Sequence, residues 1–85
     1  MEAEKMFSAL GDETRLKIVR LLMGGERCAC EIPAAVGKSQ PNVSLHLKIL
    51  RDAGVLGSRK KGKRVIYFIA NRGILKLLSD AERLC

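Results

Sequence analysis

Apolar residues recur along this chain at helical spacing through four successive segments, switch to strand-like runs, and return to helical spacing at the end. The spacing predicts a short helix from Glu2 to Leu10, with Met6 and Leu10 four apart, Phe7 beside them and Gly11 ending it. Asp12 then caps a second helix. Its Leu16, Ile18, Val19, Leu22 and Met23 form a wide apolar stripe that Gly24 and Gly25 stop. Glu26-Arg27-Cys28 reads as a brief extended piece. A third helix is expected from Cys30 to Val36, closed by Gly37, with Pro33 in its first turn, where a missing N–H costs nothing.

The fourth helix is the most informative. Ser39 or Gln40 caps it, Pro41 falls in its first turn, and the pattern runs to Ala53 with Gly54 behind it. Only a few residues separate it from the third helix, so the pair reads as a helix-turn-helix over about residues 30–53. Val55 to Lys61 and Lys63 to Ile69 are β-leaning runs about Gly62, a hairpin wing with a basic tip. A last helix is expected from about Arg72 to Leu84. Its Ile74, Leu75, Leu77, Leu78 and Leu84 form an apolar face with no remaining element to cover it, so that face is assigned to a partner copy. The expected class is α+β, mainly α: a winged helix-turn-helix, one domain over residues 1–85.

Charge adds a partner to this picture. Between Lys38 and Arg64 eight basic residues face one acid, Asp52, and this excess equals the +7 net charge of the whole 85-residue chain. An excess confined to one third of a chain is the footprint of a nucleic-acid surface, although a solvated lysine-rich face is the plainer alternative. At 100° per residue Val43, Leu47 and Leu50 share the inward face of the fourth helix, while Gln40, Ser44, Lys48 and Arg51 lie opposite. Such side chains, with Ser39 and Asn42 at the helix start, can reach base edges or phosphates in a major groove. Leu45 also lies outward, either against a thymine methyl or simply exposed. Arg59, Lys60, Lys61, Lys63 and Arg64 of the wing are suited to phosphates or the minor groove, giving affinity more than sequence choice. His46, the only histidine, sits at the edge of the apolar stripe and reads as a packed residue.

Composition restricts the setting. No run of eighteen apolar residues and no signal-peptide pattern occurs, so a cytoplasmic protein without membrane association is expected. With 47% hydrophobic residues in so short a chain, more aliphatic surface is present than a monomer easily hides, which favours a homodimer. Three cysteines make a poor disulfide framework but suit thiols that bind or sense. Neither a phosphate-cradling glycine loop nor a paired-carboxylate site is present, so an enzyme is not expected.

Asp12-Glu13-Thr14-Arg15-Leu16, Cys28-Ala29-Cys30-Glu31-Ile32, Ser39-Gln40-Pro41-Asn42-Val43-Ser44-Leu45-His46-Leu47, Gly54-Val55-Leu56 and Gly62-Lys63-Arg64-Val65-Ile66-Tyr67, in this order, resemble the ArsR/SmtB family of metal- and metalloid-responsive repressors. The resemblance covers roughly residues 6–84. It implies a dimeric winged helix whose first and last helices (about 2–10 and 72–84) form the interface, and whose recognition helices meet an inverted-repeat operator in double-stranded DNA. It implies no permanent cofactor, and an inducer bound by cysteines: As(III) or Sb(III), or a soft divalent metal ion. Thiolates are the ligands such ions prefer, and Cys28 and Cys30 are therefore the expected pair. Strand or helix geometry would point residues i and i+2 apart, so joint ligation requires irregular backbone here. The departure from the family pattern is Pro33, which stands where arsenic-responsive members carry a third cysteine. Cys85 is the remaining candidate ligand, from the same or the other subunit, with a spectator role as the alternative. A redox-sensing regulator of the same fold and a constitutive nucleic-acid-binding module are the competing functions.

Overall fold

The computed structural model describes residues 3–85; the expected start of the first helix at Glu2 lies outside the described residues. The elements are α1 (Ala3–Leu10), α2 (Glu13–Met23), β1 (Arg27–Cys28), a 3-10 turn (Ala29–Glu31), α3 (Ile32–Val36), α4 (Gln40–Asp52), β2 (Leu56–Lys61), β3 (Arg64–Ile69) and α5 (Gly73–Leu84). Five helices and a three-stranded antiparallel sheet of order β1-β3-β2 make a mainly helical winged helix-turn-helix.

Local chemistry sets the boundaries. Asp12 adopts extended backbone and its carboxylate accepts the Arg15 N–H at 3.0 Å, starting α2. Gly37, with φ of 71°, ends α3 by turning left-handed, and Ser39 starts α4 by accepting the Asn42 N–H on its hydroxyl at 3.3 Å. The tight spacing of these two caps brings α3 and α4 together as a helix-turn-helix. After α4, the Val55 N–H donates to the Leu50 carbonyl at 3.0 Å and the chain turns into the wing. Lys63, expected in the second strand, instead occupies the turn with Gly62, and Lys61 pairs directly with Arg64.

Ile18, Val19, Ile32, Val43, Leu50, Val55 and Ile74, each 2% exposed or less, form the centre of one core drawn from α2, α3, α4, the link into β2 and α5. At roughly 1.5–3 kcal/mol per buried aliphatic side chain this core is the main stabilising term. Two expectations about apolar faces are corrected. Met23 is exposed, because the buried face of α2 centres on Ile18, Val19 and Leu22 and Met23 projects about 100° beyond Leu22. The face of α5 is left uncovered only in part: Ile74 and Leu78 enter the core of the same chain, Leu75 and Leu77 are half-buried, and Leu84 stays exposed. What remains open is a narrower strip in which Phe7, still 59% exposed, borders an apolar groove with Leu16, Leu77 and Ala81.

The third helix also differs from expectation. It begins at Ile32 rather than Cys30, because Cys28 caps a 3-10 turn: its N–H donates to the Glu31 carboxylate at 2.9 Å, and its sulfur accepts the Cys30 N–H at 3.4 Å. Pro33 sits in the first turn of α3 as expected.

Candidate nucleic-acid interface and thiol site

The α4 helix is held from behind. Val43, Leu47 and Leu50 are buried, and Arg15 ties the helix to its scaffold: its Nε donates to the Ala9 carbonyl at 2.6 Å, while a terminal nitrogen lies 3.1 Å from His46 Nδ1. His46 is thus a packed residue with a bonded ring nitrogen, bridging α2 and α4. Asp12 lies 3.9 Å from the same nitrogen; its carboxyl is held below the usual value chiefly by the Arg15 N–H, with the Arg15 charge assisting.

With that face fixed, Ser39, Gln40, Asn42, Ser44, Leu45, Lys48 and Arg51 are all exposed on the other. Leu45 is 59% exposed, so it takes no part in the core. The Lys48 ammonium donates to Asp52 at 2.8 Å across one helical turn and holds that carboxyl low.

The wing cations fall into two groups. Arg59 donates to the Glu26 carboxylate at 2.6 Å and lies 5.8 Å from the centroid of the Phe68 ring. Their hydrogen bond holds the Glu26 carboxyl below its usual value and lifts Arg59 further. Lys60, Lys61, Lys63 and Arg64 are exposed and form no ion pair among the described residues. Among the described residues, Arg59 alone of the five wing cations is therefore ion-paired.

Sequence reasoning missed the partnership between the cysteine segment and the wing. β1 pairs with β3, placing Cys28 opposite Ile66, and Ile66 is in turn opposite Arg59 on β2. Cys28 and Arg59 thus stand in one row across the sheet, two strands apart. The two-residue strand was visible as an extended piece, but no periodicity is measurable over so few residues.

The thiols open into a cavity of about 240 Å³. Cys28 is buried and Cys30 exposed, and both are free. The 3-10 turn makes the backbone between them irregular, and across it the Cys28 sulfur accepts the Cys30 N–H at 3.4 Å. A hydrogen bond from the Cys30 thiol, then the Cys30 N–H, then the Arg64 charge hold the Cys28 thiol below its ordinary value. Cys30 moves up, because it supplies that hydrogen bond and faces the charge forming on Cys28. The cavity's remaining polar wall is formed by Gln40 and Ser44 of α4 and by Lys63 and Arg64 of the wing, over an apolar floor that includes Pro33, Val43 and Leu47. Thiols and outward-facing helix residues thus share one space.

Cys85 is not there. It is exposed at the end of α5, its thiol donating to the Ala81 carbonyl at 3.4 Å, and it lines a separate groove with Leu16 and Arg20. Among the described residues no group of three or more His, Cys, Asp or Glu side chains is placed to hold a metal ion. Asp80 and Glu82 are engaged by Lys76 and Arg20 respectively.

Residues 12–58 match the family of bacterial regulatory proteins named for arsR. This chain belongs to the ArsR/SmtB family. An HTH-type transcriptional regulator of Methanocaldococcus jannaschii is 40% identical over 83 residues, covering 93% of each chain. The arsenical resistance operon repressor of Escherichia coli is 50% identical over 64 residues, covering 74% of this chain but 55% of that protein. Against the latter, the present chain spans little more than half the length. Among solved structures, the homodimeric winged helix-turn-helix DNA-binding domain of a possible ArsR-family regulator from Mycobacterium bovis superimposes with a TM-score of 0.88 at 30% identity, covering 94% of this chain and 74% of that one. As an ArsR-family member, the chain is a DNA-binding transcriptional regulator and not an enzyme. No described helix is long and apolar enough to cross a membrane.

Proposed function

We propose that this ArsR-family chain is a repressor that leaves its operator when a thiol-binding metalloid or soft metal ion, As(III) or Sb(III) foremost, is captured by Cys28 and Cys30. The observation that carries the proposal is the shared cavity: an occupant bonded to the two sulfurs lies against Gln40, Ser44, Lys63 and Arg64. Ligation therefore acts by contact on the surface that meets DNA. The donor set fits the ion, since two thiols, one of them already biased toward thiolate, suit a soft, thiophilic centre. The Escherichia coli relative's name as an arsenical resistance operon repressor supports the same inducer class.

In this reading the protein works as a homodimer built on α1 and α5, whose open strip around Phe7 and Leu77 supplies apolar surface for a second copy. Two α4 helices then meet successive major grooves of an inverted repeat, about 34 Å apart. Ser39, Gln40, Asn42, Ser44, Leu45, Lys48 and Arg51 read or grip the groove, and the wing cations grip phosphates. The deciding experiment titrates arsenite, antimonite and cadmium into the protein bound to its own upstream DNA under reducing conditions. Release by at least one of them, abolished by Cys28→Ser, is expected; no release by any sinks the proposal.

A second reading rests on the closeness of the two cysteines, the Cys28 sulfur accepting the Cys30 N–H at 3.4 Å. Peroxide would oxidise the Cys28 thiolate to a sulfenate, and the Cys30 thiol would displace water from it to form a disulfide. Release by peroxide that a thiol reductant reverses, together with indifference to arsenite, would favour this reading.

A further inference from the structure

Two thiols leave trivalent arsenic one ligand short, and Pro33, which also lines the cavity, brings no donor. Cys85 lines a different groove. No third thiol of the same chain lines the cavity. The cavity of about 240 Å³ has room beside the two sulfurs for a ligand larger than hydroxide, and oxygen is the less preferred partner of a soft centre. The same cavity is lined by Lys63 and Arg64, two exposed cations that form no ion pair among the described residues.

From this arrangement we infer that the inducer is held as a mixed adduct, in which arsenic is bonded to Cys28, to Cys30 and to the sulfur of a small carboxylate-bearing thiol whose carboxylates lie against Lys63 and Arg64. The inference rests on the reading of Cys28 and Cys30 as the arsenic site. Its chemistry balances without redox change: arsenous acid and three thiols, two from the protein and one free, form three As–S bonds and release three waters, each As–OH leaving with a thiol proton. The adduct also explains how capture reaches the DNA surface. Carboxylates lying on Lys63 and Arg64 withdraw two cations per protomer from phosphate contacts, in addition to the bulk placed beside Gln40 and Ser44.

The test loads the full chain with arsenite in the presence of one monothiol at a time: mercaptosuccinate (anionic), 2-mercaptoethanol (neutral) or cysteamine (cationic). A neutral phosphine keeps the cysteines reduced. Native mass spectrometry reads the ternary complex of protein, arsenic and thiol, and ultraviolet As–S absorption reads arsenic capture independently of the third ligand. The expected order of ternary-complex stability is mercaptosuccinate, then 2-mercaptoethanol, then cysteamine, spanning on the order of tenfold for two exposed charge contacts. The double substitution Lys63→Gln/Arg64→Gln, at exposed positions, should collapse that order. Equal stability of all three complexes, or an order unmoved by the double substitution, overturns the inference while leaving the arsenic site intact. Absence of As–S absorption in every arm overturns the arsenic site itself, and the inference with it.

Discussion

Replacing Glu26 by Gln removes the partner of Arg59 without altering the volume of the side chain. In the free protein Arg59 spends its charge on Glu26 at 2.6 Å, with its guanidinium near Phe68, while the other four wing cations have no such partner among the described residues. If Arg59 stays paired in the DNA complex, it neutralises no phosphate. Each phosphate neutralised on duplex DNA adds ~0.9 to the slope of log affinity against log salt, so freeing Arg59 steepens the slope by ~0.9 per protomer and ~1.8 per dimer on two half-sites. Across a fourfold rise in salt, from ~50 to ~200 mM, the variant then loses about twelvefold more affinity than the parent chain. The assay is a fluorescence-anisotropy titration of an operator duplex and a random duplex at several salt concentrations. Arg59→Gln and the double variant complete the cycle. The gain should appear on both duplexes, because phosphate contacts carry no sequence choice, and should vanish when Arg59 is absent. An unchanged slope for Glu26→Gln would show that Arg59 already exchanges Glu26 for phosphate when DNA binds, and would refute the view of Glu26 as a standing counter-charge on the wing.

The other predictions are briefer. Leu50→Ala, at a position with no exposed surface, should lower unfolding free energy by about 2–5 kcal/mol in urea titrations, with little loss of helix content in the remaining folded fraction. Ser39→Ala should cost about 1 kcal/mol through loss of the α4 cap, and should lower operator affinity more than random-duplex affinity. Cys85→Ser should leave arsenite-driven release unchanged; a lost response would place Cys85 in the site after all. Asp12, Glu26 and Asp52 all have carboxyls held below their usual values, so the stability they carry is full above the ordinary carboxylate range and disappears as pH falls through the lowered values. The thermal midpoint should therefore hold down to about pH 5 and drop below about pH 4, with Asp12→Asn flattening part of that fall.

Much of this architecture is legible in the chain because each boundary carries its own chemistry. Asp12, Gly37 and Ser39 announce their caps wherever the rest of the fold lies, and the inward positions of α4 follow from a period that thirteen residues are long enough to display. The reading weakened where the deciding interaction is non-local. Nothing in the α5 sequence tells that Ile74 and Leu78 find cover within the same chain, since an apolar stripe records that a face is buried and not by what. The β1–β3 pairing and the Glu26–Arg59 bond, separated by 33 or more residues, are likewise tertiary facts. Of the candidate site, the two thiols and the outward face of α4 could be named from the sequence. That Gln40, Ser44, Lys63 and Arg64 wall the same cavity as the thiols could not.

That common wall bears on the kind of switch this protein can be. A sensor remote from its output must bias a two-state element and carry a coupling free energy, typically 1–3 kcal/mol, through intervening structure. Here β1 ends at Cys28, the turn carrying Cys30 leads directly into α3, and Gly37 and Ser39 join α3 to α4, so backbone displaced at the thiols is displaced at the base of α4. The same strand is bonded to β3, whose first residue, Arg64, lines the cavity. Under the proposed function, ligation thus meets both DNA-contacting elements locally, helix through the turn and wing through the sheet. The response should accordingly survive substitutions in α5 that leave the dimer intact, and should fail when the β1–β3 pairing is broken, as by proline at Arg27, even if arsenic capture persists.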